Sequence, residues 1–203
     1  MKKVMMGAVC TAIVLSAGSA TATPAVVGKP APVFRATDAD GKPISLSDFK
    51  GKFVVLEWTN PSCPFVRKHY DSGNMPATQK HAMADGAIWL SIQTTLFGWG
   101  ADSTRADLLA WQKSKHATPT ASIIDSGGKI ASSYHATATP NMYIIDPQGT
   151  LIYAGAIDSK PSTDQADIRT ATNFVSQALN EAMKGLPVSR PVTQAYGCSV
   201  KYI

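Results

Sequence analysis

The 203-residue chain predicts an α/β fold: a central mixed β-sheet flanked by helices, with an N-terminal β-hairpin and an extended C-terminal tail. Three observations lead there. The runs Phe53–Thr59 and Ala87–Gln93 are almost continuously apolar, as strands buried on both faces of a parallel sheet are. Helical patterns separate these runs from each other and from the next strand, which is the spacing of parallel crossover units. Thr139-Pro140 then opens Met142–Ile145, Asp146-Pro147-Gln148-Gly149 turns the chain, and Leu151–Ala154 returns, which is an antiparallel pair.

The elements follow in order. Residues 1–22 read as a signal peptide: Lys2-Lys3 is a positive n-region, Val4–Ala17 is apolar but short for a membrane span, and Ala20-Thr21-Ala22 has the small-x-small form of a cleavage site. The folded domain is expected over 23–185 and a tail carrying Cys198 over 186–203. Phe34–Asp38 and Pro43–Leu46 form a hairpin closed at Gly41, and Ser47–Lys52 a short helical turn ended by Gly51. After the first central strand a helix from Cys63 to about Asp85 is interrupted at Asp71-Ser72-Gly73-Asn74 and restarts at Met75-Pro76. Thr94–Asp102 is a Gly-rich loop carrying Phe97 and Trp99, which suit either a substrate lid or ordinary packing. Ser103 caps a helix to about Lys115, Thr120–Ile124 is a strand, and Lys129–Tyr134 a short helix. Asp164–Lys184 reads as one helix with Ile168, Phe174, Val175, Leu179 and Met183 inward, ended by Gly185.

Charge and cysteine content narrow the function classes. Removal of the leader takes Lys2 and Lys3 and leaves 17 basic against 14 acidic side chains, too mild and dispersed for nucleic acid. No stable membrane insertion is expected after cleavage. Two of the three cysteines remain, Cys63 and Cys198, in a periplasmic or secreted and therefore oxidising setting. Phosphate loops, dinucleotide fingerprints and hydrolase elbows are missing from the sequence. The histidines are scattered without metal-ligand spacing, so neither a metal nor a cofactor is expected.

Cys63 is the candidate nucleophile. Asn60-Pro61-Ser62 ends the strand, and Pro64 suits the first helical position, so Cys63 lies at a helix mouth where unpaired N–H groups favour a thiolate. Cys198 is the candidate resolving cysteine on a movable tail; its alternative is a permanent clip to Cys63. Arg67, four residues on and on the same helix face, can hold a thiolate or peroxide or lie in solvent. Lys68 reads as surface. Glu57, in an apolar strand, needs a partner or a water if buried.

The order of elements with Cys63 at the first strand–helix junction resembles the thioredoxin fold. Lys29-Pro30-Ala31-Pro32-Val33-Phe34 through Asp40-Gly41-Lys42 and Leu46–Lys52 is similar to the opening of the alkyl hydroperoxide reductase/thiol-specific antioxidant (redoxin) family, and Trp58–Tyr70 together with Tyr196–Tyr202 resembles its exported, peroxiredoxin-like members. The resemblance covers about Gly28 to Ile203. It implies a cis-proline at Thr139-Pro140 facing Cys63, with Thr139 offering its backbone to an extended substrate, and a buried acid such as Glu57 able to shuttle protons. Two positions depart from the family patterns. Val66 stands where a Cys-x-x-Cys reductase has its second thiol. Asn60 stands where a peroxiredoxin has Thr or Ser; it can donate to a peroxide but cannot reproduce a hydroxyl relay. The expected function is an exported thiol-dependent, peroxiredoxin-like oxidoreductase, an antioxidant in which Cys63 attacks a peroxide or disulfide, Cys198 resolves the product and an external dithiol reductant completes the cycle. Asn60, Pro64, Arg67, Thr139 and Pro140 are the supporting positions. The alternatives are protein disulfide exchange without peroxide chemistry, and a non-catalytic binding protein with a structural Cys63–Cys198 bond.

Overall fold

A computed structural model of the protein describes residues 25–95 and 105–201. The leader, the aromatic pair Phe97 and Trp99, and the cap Ser103 lie outside the described residues. The chain begins with a two-stranded hairpin, β1 (Arg35–Thr37) and β2 (Pro43–Ser45), with Arg35 opposite Ser45. Its turn is closed by Asp38, whose carboxylate accepts the N–H groups of Asp40 and Lys42 at 3.0 and 2.8 Å. A 3₁₀ turn over Leu46–Phe49 follows, with Ser45 and Asp48 as a reciprocal capping box.

The order then runs β3 (Val54–Trp58), α1 (Pro64–Asp71), α2 (Asn74–Ala84), β4 (Ile88–Thr95), α3 (Arg105–Ser114), β5 (Ala121–Ser126), α4 (Lys129–Tyr134), β6 (Ala138–Thr139), β7 (Asn141–Ile145), β8 (Leu151–Gly155), α5 (Phe174–Met183) and β9 (Cys198–Ser199). The main sheet has the order β5-β4-β3-β7-β8, with β3, β4 and β5 parallel and β7 and β8 joined antiparallel. This is the mixed sheet of a thioredoxin-like fold. The alternation of β3 sorts two cores. Val54, Leu56 and Trp58 face Ile92, Tyr134 and Tyr143 on the α4 side; Val55 and Trp89 face Val66, Tyr70 and Phe174 on the side of α1, α2 and α5.

Two expectations change. The helix expected over Asp164–Lys184 is split. Asp164 caps a 3₁₀ turn at Gln165–Thr170, and α5 begins only after Asn173, whose side chain accepts the Ser176 N–H at 3.0 Å. Thr170, Thr172 and Asn173 are weak helix formers, and Phe174 N–H is taken by Ile157 O at 3.0 Å, so the backbone is better satisfied by the break. The tail is extended as expected, but it is docked. Pro191–Thr193 runs beside β8, where Ala154 N–H donates to Pro191 O and Thr193 N–H to Ala154 O. A Cβ at Gly155 would stand 2.2 Å from Thr193 Oγ1, so glycine at this crossing is a condition of the tail's path. Cys198–Ser199 then pairs antiparallel with Ala138–Thr139.

Glu57 is wholly buried at the centre of β3. Tyr70 Oη donates to its Oε1 at 2.7 Å; Trp89 Nε1, Ser91 Oγ and Gln79 Nε2 donate to its Oε2 at 2.8, 3.0 and 3.1 Å. Burial raises its carboxyl above the usual range, and the four donors offset part of that rise. Glu57→Leu, which orphans four buried donors, is expected to lower the unfolding free energy by about 3–5 kcal/mol, and Glu57→Gln by much less, as read by urea denaturation.

Candidate active site

Cys63 is the N-cap of α1 and is buried. Its own N–H goes back to Asn60 O at 3.0 Å, and Asn60 Oδ1 accepts the Ser62 N–H at 2.8 Å. That Asx turn ends β3 and sets the thiol at the helix mouth. Pro64 occupies the first helical position, where its missing N–H costs no bond. The Cys63 thiol donates to Thr139 O at 3.1 Å, and the Thr139-Pro140 peptide bond is cis. Next to these residues is a small cavity of about 30 Å³ whose lining includes Asn60, Thr139, Ser199 and Lys201 but not Cys63.

The tail completes the site. Thr139 is directly opposite Cys198 in the two-residue ladder, and Thr139 Oγ1 lies 3.4 Å from Cys198 O. Gly197, with φ +130°, lies flat on the Thr139-Pro140 peptide; a Cβ there would stand 1.9 Å from Thr139 O. Only glycine permits this approach, and it brings Cys198 onto Cys63. Burial pushes the Cys63 thiol up. Hydrogen bonds from the Cys198 thiol, Thr139 and the N–H groups of Val66 and Cys198 outweigh that effect and leave it below the ordinary thiol value. Burial, donation to Cys63 and the Cys63 charge push Cys198 the other way. The two thiols are thus shifted in opposite directions, Cys63 down and Cys198 up.

The remaining expected residues are placed differently. Arg67 does not point at the sulfur. Its side chain is 61% exposed and runs along α1 to Asp71, 3.8 Å away, an i,i+4 pair in solvent. Lys68, expected at the surface, is fully buried, because a buried carboxylate, Asp158, lies 3.6 Å from its ammonium. His69 is buried beside it. Asp158, His69 and Tyr196 form a polar cluster under the tail that sequence reading missed. The signal available was the i, i+3, i+4 spacing of Phe65, Lys68 and His69 on α1, together with a Tyr two residues before the second cysteine. Among the described residues no group of three or more His, Cys, Asp or Glu is arranged to hold a metal, and no helix is long and apolar enough to cross a membrane.

The family model for the AhpC/TSA family matches residues 27–154. The chain belongs to this family. Among curated relatives, a thiol-disulfide oxidoreductase ResA of Bacillus thuringiensis subsp. konkukian is 31% identical over 129 residues, which is 62% of this chain and 67% of that protein. Among solved structures, an uncharacterized conserved protein from Geobacillus kaustophilus superposes with a TM-score of 0.73 at 24% identity, covering 88% of this chain and 93% of that one. The thioredoxin domain of a thiol-disulfide oxidoreductase from Bacteroides vulgatus gives 0.52 at 20% identity over 64% of this chain and 87% of its own. The structural likenesses establish the thioredoxin-like fold. Family and relative point to the oxidoreductase class, and the relative itself is a thiol-disulfide oxidoreductase.

Two measurements test this geometry. In Cys198→Ala and Gly197→Ala, the pH at which Cys63 becomes alkylated by iodoacetamide is expected to rise, since both remove the Cys198 donor. An unchanged profile in both would separate the thiolate from the tail. His69 is held neutral by burial, down to about 4 from an ordinary 6.5, so the unfolded chain binds a proton that the folded one refuses. Stability is expected to fall as pH drops from 6.5 toward 4, by on the order of 3 kcal/mol in total, and more shallowly in His69→Gln, as read by denaturant midpoints across that range.

Proposed function

We propose that the protein is an exported thiol–disulfide exchange enzyme with Cys63 as nucleophile and Cys198 as resolving cysteine. The observation that carries this reading is the pairing of Cys198 with Thr139. The tail lies as an extended strand along the edge that the family resemblance assigns to substrate, with its thiol on Cys63. The Cys63 thiolate attacks one sulfur of a substrate disulfide, forming a mixed disulfide and releasing one substrate thiolate, which takes up a proton. Cys198, losing its proton to solvent, then attacks the Cys63 sulfur and releases the second substrate thiol. The resulting Cys63–Cys198 disulfide is returned to two thiols by an external dithiol. Val66 supplies no local partner, so the remote thiol takes that role. The curated relative, a thiol-disulfide oxidoreductase, supports exchange, and the sequence features of residues 1–22 support export.

The cavity beside Asn60 and Thr139 favours a second reading, in which a peroxide is the oxidant. Asn60 and Thr139, which line that cavity, also flank Cys63: Asn60 O accepts its N–H and Thr139 O its thiol. Peroxide would leave a sulfenic acid on Cys63 and release water, and Cys198 would condense with it to the same disulfide, releasing a second water.

A single set of measurements decides. With a disulfide-bonded peptide and a dithiol reductant, Cys198→Ser is expected to accumulate the peptide as a mixed disulfide on Cys63 and to lose turnover by tenfold or more. Unchanged turnover would remove Cys198 from the mechanism. Peroxide consumption without peptide reduction would transfer the assignment to the second reading. A Cys63–Cys198 bond that persists under mild reductant, without turnover of either substrate, would leave a structural clip.

A further inference from the structure

The tail is gripped two residues before Cys198. Phe65, Lys68 and His69 share one face of α1, and all three meet Tyr196. The Phe65 ring meets the Tyr196 ring edge-on at 5.8 Å between centroids, Lys68 Nζ stands 5.8 Å from the Tyr196 ring centroid, and His69 Nε2 lies 3.1 Å from the phenol oxygen. The proton order in this cluster is determined by its donors. Asn74 Nδ2 lies 2.8 Å from His69 Nδ1, so the amide donates there and Nε2 carries the imidazole hydrogen, which it gives to Tyr196 Oη. The phenol in turn donates to Asp158 Oδ1. Asp158 also accepts the Lys160 N–H at 2.9 Å, and Lys68 Nζ donates to Lys160 O at 2.7 Å while facing Asp158 Oδ2 at 3.6 Å. Lys68 and Asp158 are 0% and 2% exposed. A buried ion pair of this kind is weak evidence for stability, because desolvation offsets most of its attraction. Its geometry, however, is aimed at one residue of the tail.

The same helix therefore does two things. Its N-cap is Cys63, and the face carrying Phe65, Lys68 and His69 grips Tyr196, which the bend at Gly197 joins to Cys198. We propose that Tyr196, with Asp158, His69 and Lys68, is a positioning set that holds the Cys198 thiol on Cys63 and so sets the equilibrium of the Cys63–Cys198 disulfide. This rests on the reading that the two cysteines are the redox pair.

The chemistry separates the roles. With oxidised glutathione, Cys63 thiolate attacks one sulfur and releases a glutathione thiolate, which is protonated. Cys198 gives its proton to solvent, attacks the Cys63 sulfur of the adduct and releases the second glutathione. The first step forms no bond to the tail, which acts on it only through the Cys198 hydrogen bonds to Cys63. The second depends on the effective concentration of Cys198 at Cys63, which the grip on Tyr196 maintains.

The test uses the full chain equilibrated in glutathione redox buffers, with thiol labelling and mass measurement of the dithiol, the disulfide and the glutathione adduct. In Tyr196→Phe, which keeps the ring and loses both phenol hydrogen bonds, the equilibrium constant for the internal disulfide is expected to fall about tenfold, a potential about 30 mV less negative. The Cys63–glutathione adduct should accumulate. Asp158→Asn should move the same way. An unchanged potential and adduct fraction in Tyr196→Phe, even with a lowered melting temperature, would make the cluster structural only and overturn the positioning role while leaving the redox pair intact. A wild-type chain that gives no internal disulfide at any ratio would instead remove the pair itself, and the proposal with it.

Discussion

A carboxylate in the middle of a sheet constrains everything near it. Glu57 has no water to solvate it, so each of its lone pairs must be met by the protein. The donors come from α1, α2 and β4, and each must therefore lie at hydrogen-bond distance from one point on β3. Tyr70 is the donor from the C-terminal part of α1. Fixing that end of the helix fixes its axis, and with it the mouth where Cys63 sits. The position of Cys63 is in this sense a consequence of satisfying an acid that lies behind it.

The second constraint is the absence of side chains. The tail reaches the site only by crossing β8 at Gly155 and the Thr139-Pro140 peptide at Gly197, and at both places a Cβ would fall inside another residue's backbone or hydroxyl. Hydrogen bonding then sets the register, with Cys198 opposite Thr139. A Cys-x-x-Cys motif brings a second thiol near the first by three residues of helix; here a strand arriving from the far end of the chain brings Cys198 near Cys63. Val66, which keeps the inner face of α1 apolar, joins the core with Tyr70 and Met142.

Much of this was legible in the sequence. The strand runs, the turn residues and Cys63 ahead of Pro64 are local signals, read from a few neighbouring residues, and they place the sheet, the helix mouth and the hairpin correctly. The cis bond at Thr139-Pro140 came from family resemblance, not from spacing. Interactions between residues distant in the chain were not legible. Nothing near Lys68 announces Asp158, ninety residues later, so a lysine in an amphipathic helix reads as solvated. Arg67 has the right helical spacing from Cys63, yet its side chain follows the nearer charge of Asp71. The long C-terminal helix failed for a different reason: the apolar periodicity of 168–183 is real, but Asn173 offers a cap in its middle, and a cap outweighs weak helix formers on either side.

Docking the tail on the first helix also has a topological consequence. Cys63 and Cys198 are separated by 135 positions, so a bond between them encloses most of the folded domain in one covalent ring. Closing a ring of that size removes conformational freedom from the unfolded chain worth about 5 kcal/mol on the chain-entropy model. The unfolding equilibrium and the thiol–disulfide equilibrium then share two edges of one thermodynamic square. Whatever free energy folding contributes to making the bond, the bond returns to the fold, and its reduction leaves a chain that unfolds more readily.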